Sequence, residues 1–142
     1  MYEFVNYQVK DYMTRSPCTI SPDTELRELE ALFSRHDFNG VPVVDQDNTL
    51  LGVATKFDLL KAFTFQPTAM IPPYEAIMSR KVADYMTREP VTTYPDRPLT
   101  RVLQRMVEMR TKSFPVVEND QVVGVIARED ILRALEDATR AN

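Results

Sequence analysis

Two stretches carry the residue types best suited to chemistry. Gly52-Val53-Ala54-Thr55-Lys56-Phe57-Asp58 and Gly124-Val125-Ile126-Ala127-Arg128-Glu129-Asp130 each run from a glycine through apolar residues to a cation and an aspartate. The pattern marks a strand-to-helix switch. Glycine lets the backbone come close to a neighbour. A carboxylate can accept two hydrogen bonds from a vicinal diol, as in ribose recognition. Lys56 and Arg128 lie beside it in sequence and can meet phosphate. A plainer reading stands next to this one. Thr55-x-x-Asp58 resembles a capping box, although glutamate or glutamine is the usual last member. In the second stretch Ala127 has no capping hydroxyl, while Asp130 remains. An aspartate in a first helical turn still gains about 0.3–1 kcal/mol from the helix dipole. Caps and diol acceptors both stay open.

Catalytic chemistry finds little else to use. The single histidine, His36, falls on the apolar stripe of an expected helix. The single cysteine, Cys18, has Val91 as its counterpart, which suits an apolar filler better than a nucleophile. No zinc-ligand spacing and no glycine-rich phosphate loop occurs among the three glycines of the chain. Asp45-Gln46-Asp47-Asn48 lacks the glycine and terminal glutamate of a calcium loop and reads as a solvated hairpin turn. No catalytic residue, metal ligand or required cofactor is therefore expected.

Composition narrows the partners. The formal net charge of -4 argues against nucleic acid, whose binding draws on phosphate neutralisation, and against an anionic membrane surface. A lone cysteine excludes an internal disulfide and fits a reduced compartment. No secretory leader and no apolar run of membrane-spanning length is visible, so a cytoplasmic location is expected. At 142 residues and 44% hydrophobic, the chain can form one compact unit with a real core.

The elements that position the two stretches are themselves duplicated. Val9-Lys10-Asp11-Tyr12-Met13-Thr14-Arg15-Ser16-Pro17 matches Val82-Ala83-Asp84-Tyr85-Met86-Thr87-Arg88-Glu89-Pro90, and Pro42-Val43-Val44 matches Pro115-Val116-Val117. Each copy alone is small for a core, so the pair should share one. Within a copy, Pro17 to Ile20 is extended, and Pro22-Asp23-Thr24 offers helix-start chemistry. Leu26, Leu29, Leu32, Phe33 and His36 recur at helical spacing. Val41 to Val44 is a strand. Leu50 to Ala54 is a second strand, apolar enough for burial on both faces. Lys56 to Phe65 is a closing helix with Phe57, Leu60 and Phe63 on one stripe. The second copy repeats this with Leu99, Val102, Leu103 and Met106, then Phe114 to Val117, Gln121 to Ile126, and Ile131, Leu132 and Leu135. The segment 64–81 is apolar for a linker and punctuated by Pro67, Pro72 and Pro73. It either packs on the core or serves as a lid or partner surface.

A short extended segment with threonine, then Pro-Val-Val, then Gly-hydrophobic-x-Ser/Thr-x-x-Asp, in that order and twice over, resembles the cystathionine β-synthase (CBS) domain family. The resemblance spans roughly residues 9–138. It implies an α/β (α+β) fold of two βαββα repeats packed about a pseudo-two-fold axis. The repeats would occupy 1–66 with the lead-in and 82–142 with the tail, joined by a linker at 67–81. It implies two clefts between the halves that take an adenosine-containing small molecule such as AMP, ADP, ATP or S-adenosylmethionine. By position, Asp58 and Asp130 would take ribose hydroxyls, and Thr55 phosphate or ribose. Thr19, Ile20, Thr92 and Thr93 would line the adenine and phosphate ends. Backbone near Val41, Pro42, Phe114 and Pro115 would flank the base. Lys112, whose counterpart is Asn39, would meet phosphate together with Lys56 and Arg128. Ala127 departs from the family pattern and weakens the second site. The expectation is a non-catalytic regulatory sensor, a homodimer with a regulated protein partner. The alternative is a CBS pair that mediates assembly without ligand.

Overall fold

The elements follow the repeat. The computed structural model describes residues 2–65 and 70–140. After a 3-10 turn at Tyr2–Asn6 come α1 (Val9–Tyr12), β1 (Thr14–Arg15), α2 (Leu26–Arg35), β2 (Gly40–Val44), β3 (Leu50–Thr55) and α3 (Lys56–Lys61). Then follow α4 (Tyr74–Met78), a 3-10 turn at Val82–Asp84, β4 (Thr87–Arg88), α5 (Leu99–Met109), β5 (Ser113–Glu118), β6 (Gln121–Ala127) and α6 (Arg128–Arg140). Each repeat is thus βαββα when the bridging residues Ile20 and Thr93 are counted as its first strand; they pair in parallel with Val43 and Val116.

Two compact units form, Cys18–Glu89 and Met1–Pro17 with Pro90–Asn142. They do not coincide with the sequence repeats, because each lead-in is built into the unit of the other repeat. In Cys18–Glu89 the antiparallel sheet has the order β2-β3-β4, so the lead-in strand of the second repeat covers the open edge of β3. In the other unit the order is β1-β6-β5, and the first repeat's lead-in covers β6. A bare edge would present unpaired N–H and C=O groups. The close approach explains the two matched glycines. A Cβ on Gly52 would sit 2.6 Å from the Thr87 carbonyl oxygen, and one on Gly124 would sit 2.8 Å from that of Thr14. The chain leaves each lead-in through a non-glycine residue at positive φ before a proline, Ser16 at 48° and Glu89 at 51°.

The lead-ins also start the helices, which corrects the expectation for Pro22-Asp23-Thr24. No side chain caps α2. Instead the Leu26 N–H donates to the Arg80 carbonyl at 2.9 Å and the Val82 N–H to that of Thr24 at 2.8 Å. The second repeat repeats the device: Leu99 N–H donates to the Tyr7 carbonyl at 3.0 Å, and Val9 N–H to that of Arg97 at 2.9 Å. These bonds satisfy helix-terminal groups that would otherwise lack partners.

Among the described residues the two copies do not share one core as expected; one core gathers Ile20, Leu26, Leu29, Val41, Val43, Ala54, Ile77, Met78 and Val82. The other gathers Val9, Leu99, Val102, Phe114, Val116, Ile126, Ile131 and Ala134. Strand β3 is not buried on both faces: Gly52 and Ala54 are buried, whereas Leu51 and Val53 are half-buried. An antiparallel sheet with one packed face gives this alternation. The stripe expected on the closing helix divides: Phe57 is 72% and Leu60 65% exposed, because α3 turns Asp58 inward, while Phe63, just beyond α3, packs against the core. The middle segment divides. Ile77 and Met78 join the core, while Phe65, Met70, Ile71 and Tyr74 are exposed. Pro67 lies outside the described residues.

Candidate functional site

Asp58 sits at the strand-to-helix switch of Cys18–Glu89. Thr55 ends β3 in extended conformation and becomes the N-cap of α3. Its hydroxyl accepts from the Asp58 N–H at 3.2 Å. Asp58, 3% exposed, answers with Oδ2, which accepts from the Thr55 N–H at 2.9 Å and the Thr55 hydroxyl at 3.0 Å. The Thr87 hydroxyl lies 3.2 Å from Oδ1 and 3.3 Å from Oδ2. The Lys61 ammonium pairs with Oδ1 at 2.8 Å. A carboxylate offers about four lone-pair sites, and these donors fill them. The sequence reading missed Thr87 and Lys61. Lys61 left a signal, since Arg133 repeats a cation three residues after the aspartate. Thr87 left none, because its reach depends on the exchanged lead-in.

Asp130, 7% exposed, is less occupied. Its Oδ2 accepts from the Ala127 N–H at 2.8 Å, and Arg133 Nη1 lies 3.2 Å from Oδ1. Half of the reciprocal cap therefore survives without a hydroxyl at position 127. Each oxygen holds one donor from the described residues, which leaves one acceptor position on each. That is the requirement of a vicinal diol.

Thr93 adds a second asymmetry. Its N–H donates to the Pro115 carbonyl at 3.0 Å, and its own carbonyl accepts from Val117 N–H at 2.9 Å. Its hydroxyl is buried and has no hydrogen-bond partner among the described residues. An unsatisfied buried hydroxyl costs about 1–3 kcal/mol. Ile20 uses its backbone in the same way, with Pro42 at 3.0 Å and Val44 at 2.9 Å, and carries no polar side-chain atom.

The cations fall as follows. Arg128 N–H donates to the Lys112 carbonyl at 2.9 Å, which brings these two exposed residues together at the start of α6. The Arg128 guanidinium also pairs with Glu129 at 3.0 Å. The Lys56 ammonium lies over the Phe33 ring, 5.8 Å from its centroid. Thr19 and Thr92 are half-buried beside the bridging residues. Val41 and Phe114 are core side chains whose backbones pair with Ala54 and Ile126, and Pro42 and Pro115 are buried next to them.

His36 is not on the helix stripe. It is the exposed C-cap of α2 and stacks on Phe38 with ring centroids 4.7 Å apart. Cys18 is exposed. Among the described residues no group of His, Cys, Asp and Glu is placed to hold a metal ion, and no helix is long and apolar enough to cross a membrane.

A family model for the CBS domain matches residues 9–64 and again residues 82–137. The chain belongs to the CBS domain family. Its fold agrees with solved CBS pairs. The CBS domain pair of protein MJ0100, solved with 5-methylthioadenosine and S-adenosyl-L-methionine, is 27% identical with a TM-score of 0.75, covering 93% of this chain and 98% of that one. The CBS-pair protein CBSX2 of Arabidopsis thaliana, solved with AMP, is 25% identical with a TM-score of 0.78, covering 94% of this chain and 99% of that one. In sequence, the chain is 29% identical over 126 residues to L-aspartate semialdehyde sulfurtransferase of Methanocaldococcus jannaschii, covering 88% of this chain and 22% of that enzyme. The chain spans about a quarter of the length of such enzyme relatives. The CBS part is thus only one portion of those enzymes.

Proposed function

We propose that this CBS pair is a non-catalytic regulatory module that binds an adenosine-containing small molecule, AMP, ADP, ATP or S-adenosylmethionine. The better site is the one built on Asp130. The observation that carries this reading is the contrast between the two aspartates. Asp58 has its acceptor positions filled by Thr55, Thr87 and Lys61, whereas each Asp130 oxygen holds one donor. A ribose diol fits the second case. Thr93 supports it with a buried hydroxyl that lacks a partner among the described residues, and Lys112 and Arg128, joined through their backbones, are the cations available for a phosphate, Arg128 while paired with Glu129. MJ0100 and CBSX2, at comparable identity, were solved with adenosine ligands.

The module acts as a homodimer and passes ligand occupancy to a regulated protein. Exposed Phe57 and Leu60 supply apolar surface for such contacts. The same surface favours a second reading, an assembly module without ligand, in which both aspartates serve only as caps. A thermal-shift series with AMP, ADP, ATP and S-adenosylmethionine separates the two. The sensor reading expects at least one of them to raise the melting temperature. A flat response to all four favours assembly.

A further inference from the structure

Arg133 joins the candidate ligand carboxylate to the N-terminal lead-in. Its Nη1 lies 3.2 Å from Asp130 Oδ1, and its Nη2 donates to the Tyr12 carbonyl at 3.1 Å. The guanidinium also lies over the Tyr12 ring, 5.5 Å from the centroid. Tyr12 is the last residue of α1, a single turn whose C-terminal carbonyls need partners from outside. A guanidinium at that end both hydrogen-bonds a free carbonyl and complements the dipole. Tyr12 is held in turn by its hydroxyl, which donates to Asp137 at 2.7 Å, and by the Tyr7 ring at 5.1 Å.

Among the described residues the other unit has no single residue doing both: one cation pairs with the aspartate and another bonds the tyrosine hydroxyl instead of its carbonyl. Lys61, the counterpart of Arg133, pairs with Asp58 at 2.8 Å. Tyr85, the counterpart of Tyr12, has its hydroxyl bonded by Arg80 Nη1 at 2.7 Å. A lysine ammonium is a point charge, whereas the planar guanidinium holds two acceptors at once.

We infer that Arg133 is a positioning residue that couples occupancy of Asp130 to the seating of residues 7–15. The inference rests on the reading of Asp130 as the diol acceptor. A diol that adds one donor to each Asp130 oxygen leaves Arg133 in place and fixes the carboxylate rotamer. The guanidinium then holds the Tyr12 carbonyl more tightly, and the lead-in is seated more firmly. Linkage makes the effect reciprocal: a seated lead-in raises ligand affinity by the same factor.

Amide hydrogen exchange tests this on wild type, Asp130→Asn, Arg133→Lys and the double variant, first without ligand. The reporters are the amides of Val9, Lys10 and Met13, and the amides of the β2–β3 hairpin serve as the control. Asp130→Asn should speed lead-in exchange about three-fold or more, within the range of couplings carried by packed side chains. In the Arg133→Lys background the same change should add nothing, because lysine keeps the charge and loses the fork. Saturating AMP should slow lead-in exchange in wild type. It should leave Arg133→Lys unchanged even though calorimetry reports binding to both. The inference is overturned if Asp130→Asn leaves the lead-in unaffected, or if it acts equally in both backgrounds. It is also overturned if AMP binds wild type without slowing the lead-in. An absence of AMP binding to wild type counts against the ligand reading instead, and the ligand-free arms then decide the coupling.

Discussion

Truncating the two aspartates should separate cap from ligand. Asp58→Ala removes the acceptor of the Thr55 N–H and of the Thr55 and Thr87 hydroxyls, and it leaves Lys61 without its partner. A buried donor left unsatisfied costs about 1–3 kcal/mol, and the hydroxyls can rotate toward other acceptors. The Lys61 pair, 44% exposed on the lysine side, adds at most about 0.5 kcal/mol. The expected loss is about 3 kcal/mol, or about 9 °C in melting temperature for a chain of this size. Asp130→Ala removes the acceptor of one backbone N–H and a pair with Arg133, which is 53% exposed. Its expected loss is about 1.5 kcal/mol, or about 4 °C. Ligand should reverse the order. At 100 times its dissociation constant, a ligand adds about 2.7 kcal/mol to a protein that binds it. Scanning calorimetry with and without AMP should show that gain in Asp58→Ala and not in Asp130→Ala. Equal losses without ligand, or a gain kept by Asp130→Ala, would refute the reasoning from acceptor occupancy.

Three further outcomes are expected. Arg110 ends α5 at φ 54°, a left-handed conformation that glycine adopts freely, so Arg110→Gly should raise the urea midpoint by the equivalent of about 0.5–1 kcal/mol. Burial, and then the hydrogen bond to Asp137, hold the Tyr12 phenol well above its ordinary pKa. Its contribution to stability is present below about pH 10 and is lost as the pH rises further. Tyr12→Phe should therefore flatten the fall in urea midpoint above about pH 10, and an unchanged slope would count against the Tyr12 contribution. Light scattering at micromolar concentration should give a dimer mass, and Phe57→Glu with Leu60→Glu should reduce it to that of a monomer.

Much of the fold was legible because the chain states it twice. The matched Pro-Val-Val strands, the Asp45 turn and the two Gly-to-Asp stretches each appear where the pattern put them. In that turn Asp45 Oδ1 accepts from the N–H groups of Asp47 and Thr49, both at 2.9 Å. The exchange of lead-ins was not legible. A match between residues 9–17 and 82–90 says that two segments are alike and not which sheet each one joins. The helix starts depend on the same exchange, since the Arg80 carbonyl takes the Leu26 N–H in the place expected of Pro22-Asp23-Thr24. The site depends on it as well. Thr55 in the first copy favours Asp58, and Lys112 and Arg128 favour the second half, so the residues alone leave the choice open, whereas in the structure Thr55, Thr87 and Lys61 fill the Asp58 acceptors. The Thr93 hydroxyl, unpaired among the described residues, is visible in the sequence only as a threonine opposite an isoleucine. Period alone also misplaced Phe57 and Leu60, because the buried side of α3 is set by Asp58 and Ala62.

Binding of an adenosine ligand through Asp130 is open to isothermal titration. Wild type, Asp58→Asn and Asp130→Asn are titrated with AMP and with S-adenosylmethionine. Asparagine keeps the size and part of the capping ability while losing the charge and the paired acceptor. Wild type and Asp58→Asn should bind at least one ligand with similar affinity, and Asp130→Asn should lose that binding. Failure of both ligands to bind wild type, or binding that survives in Asp130→Asn and disappears in Asp58→Asn, would rule out Asp130 as the ligand carboxylate.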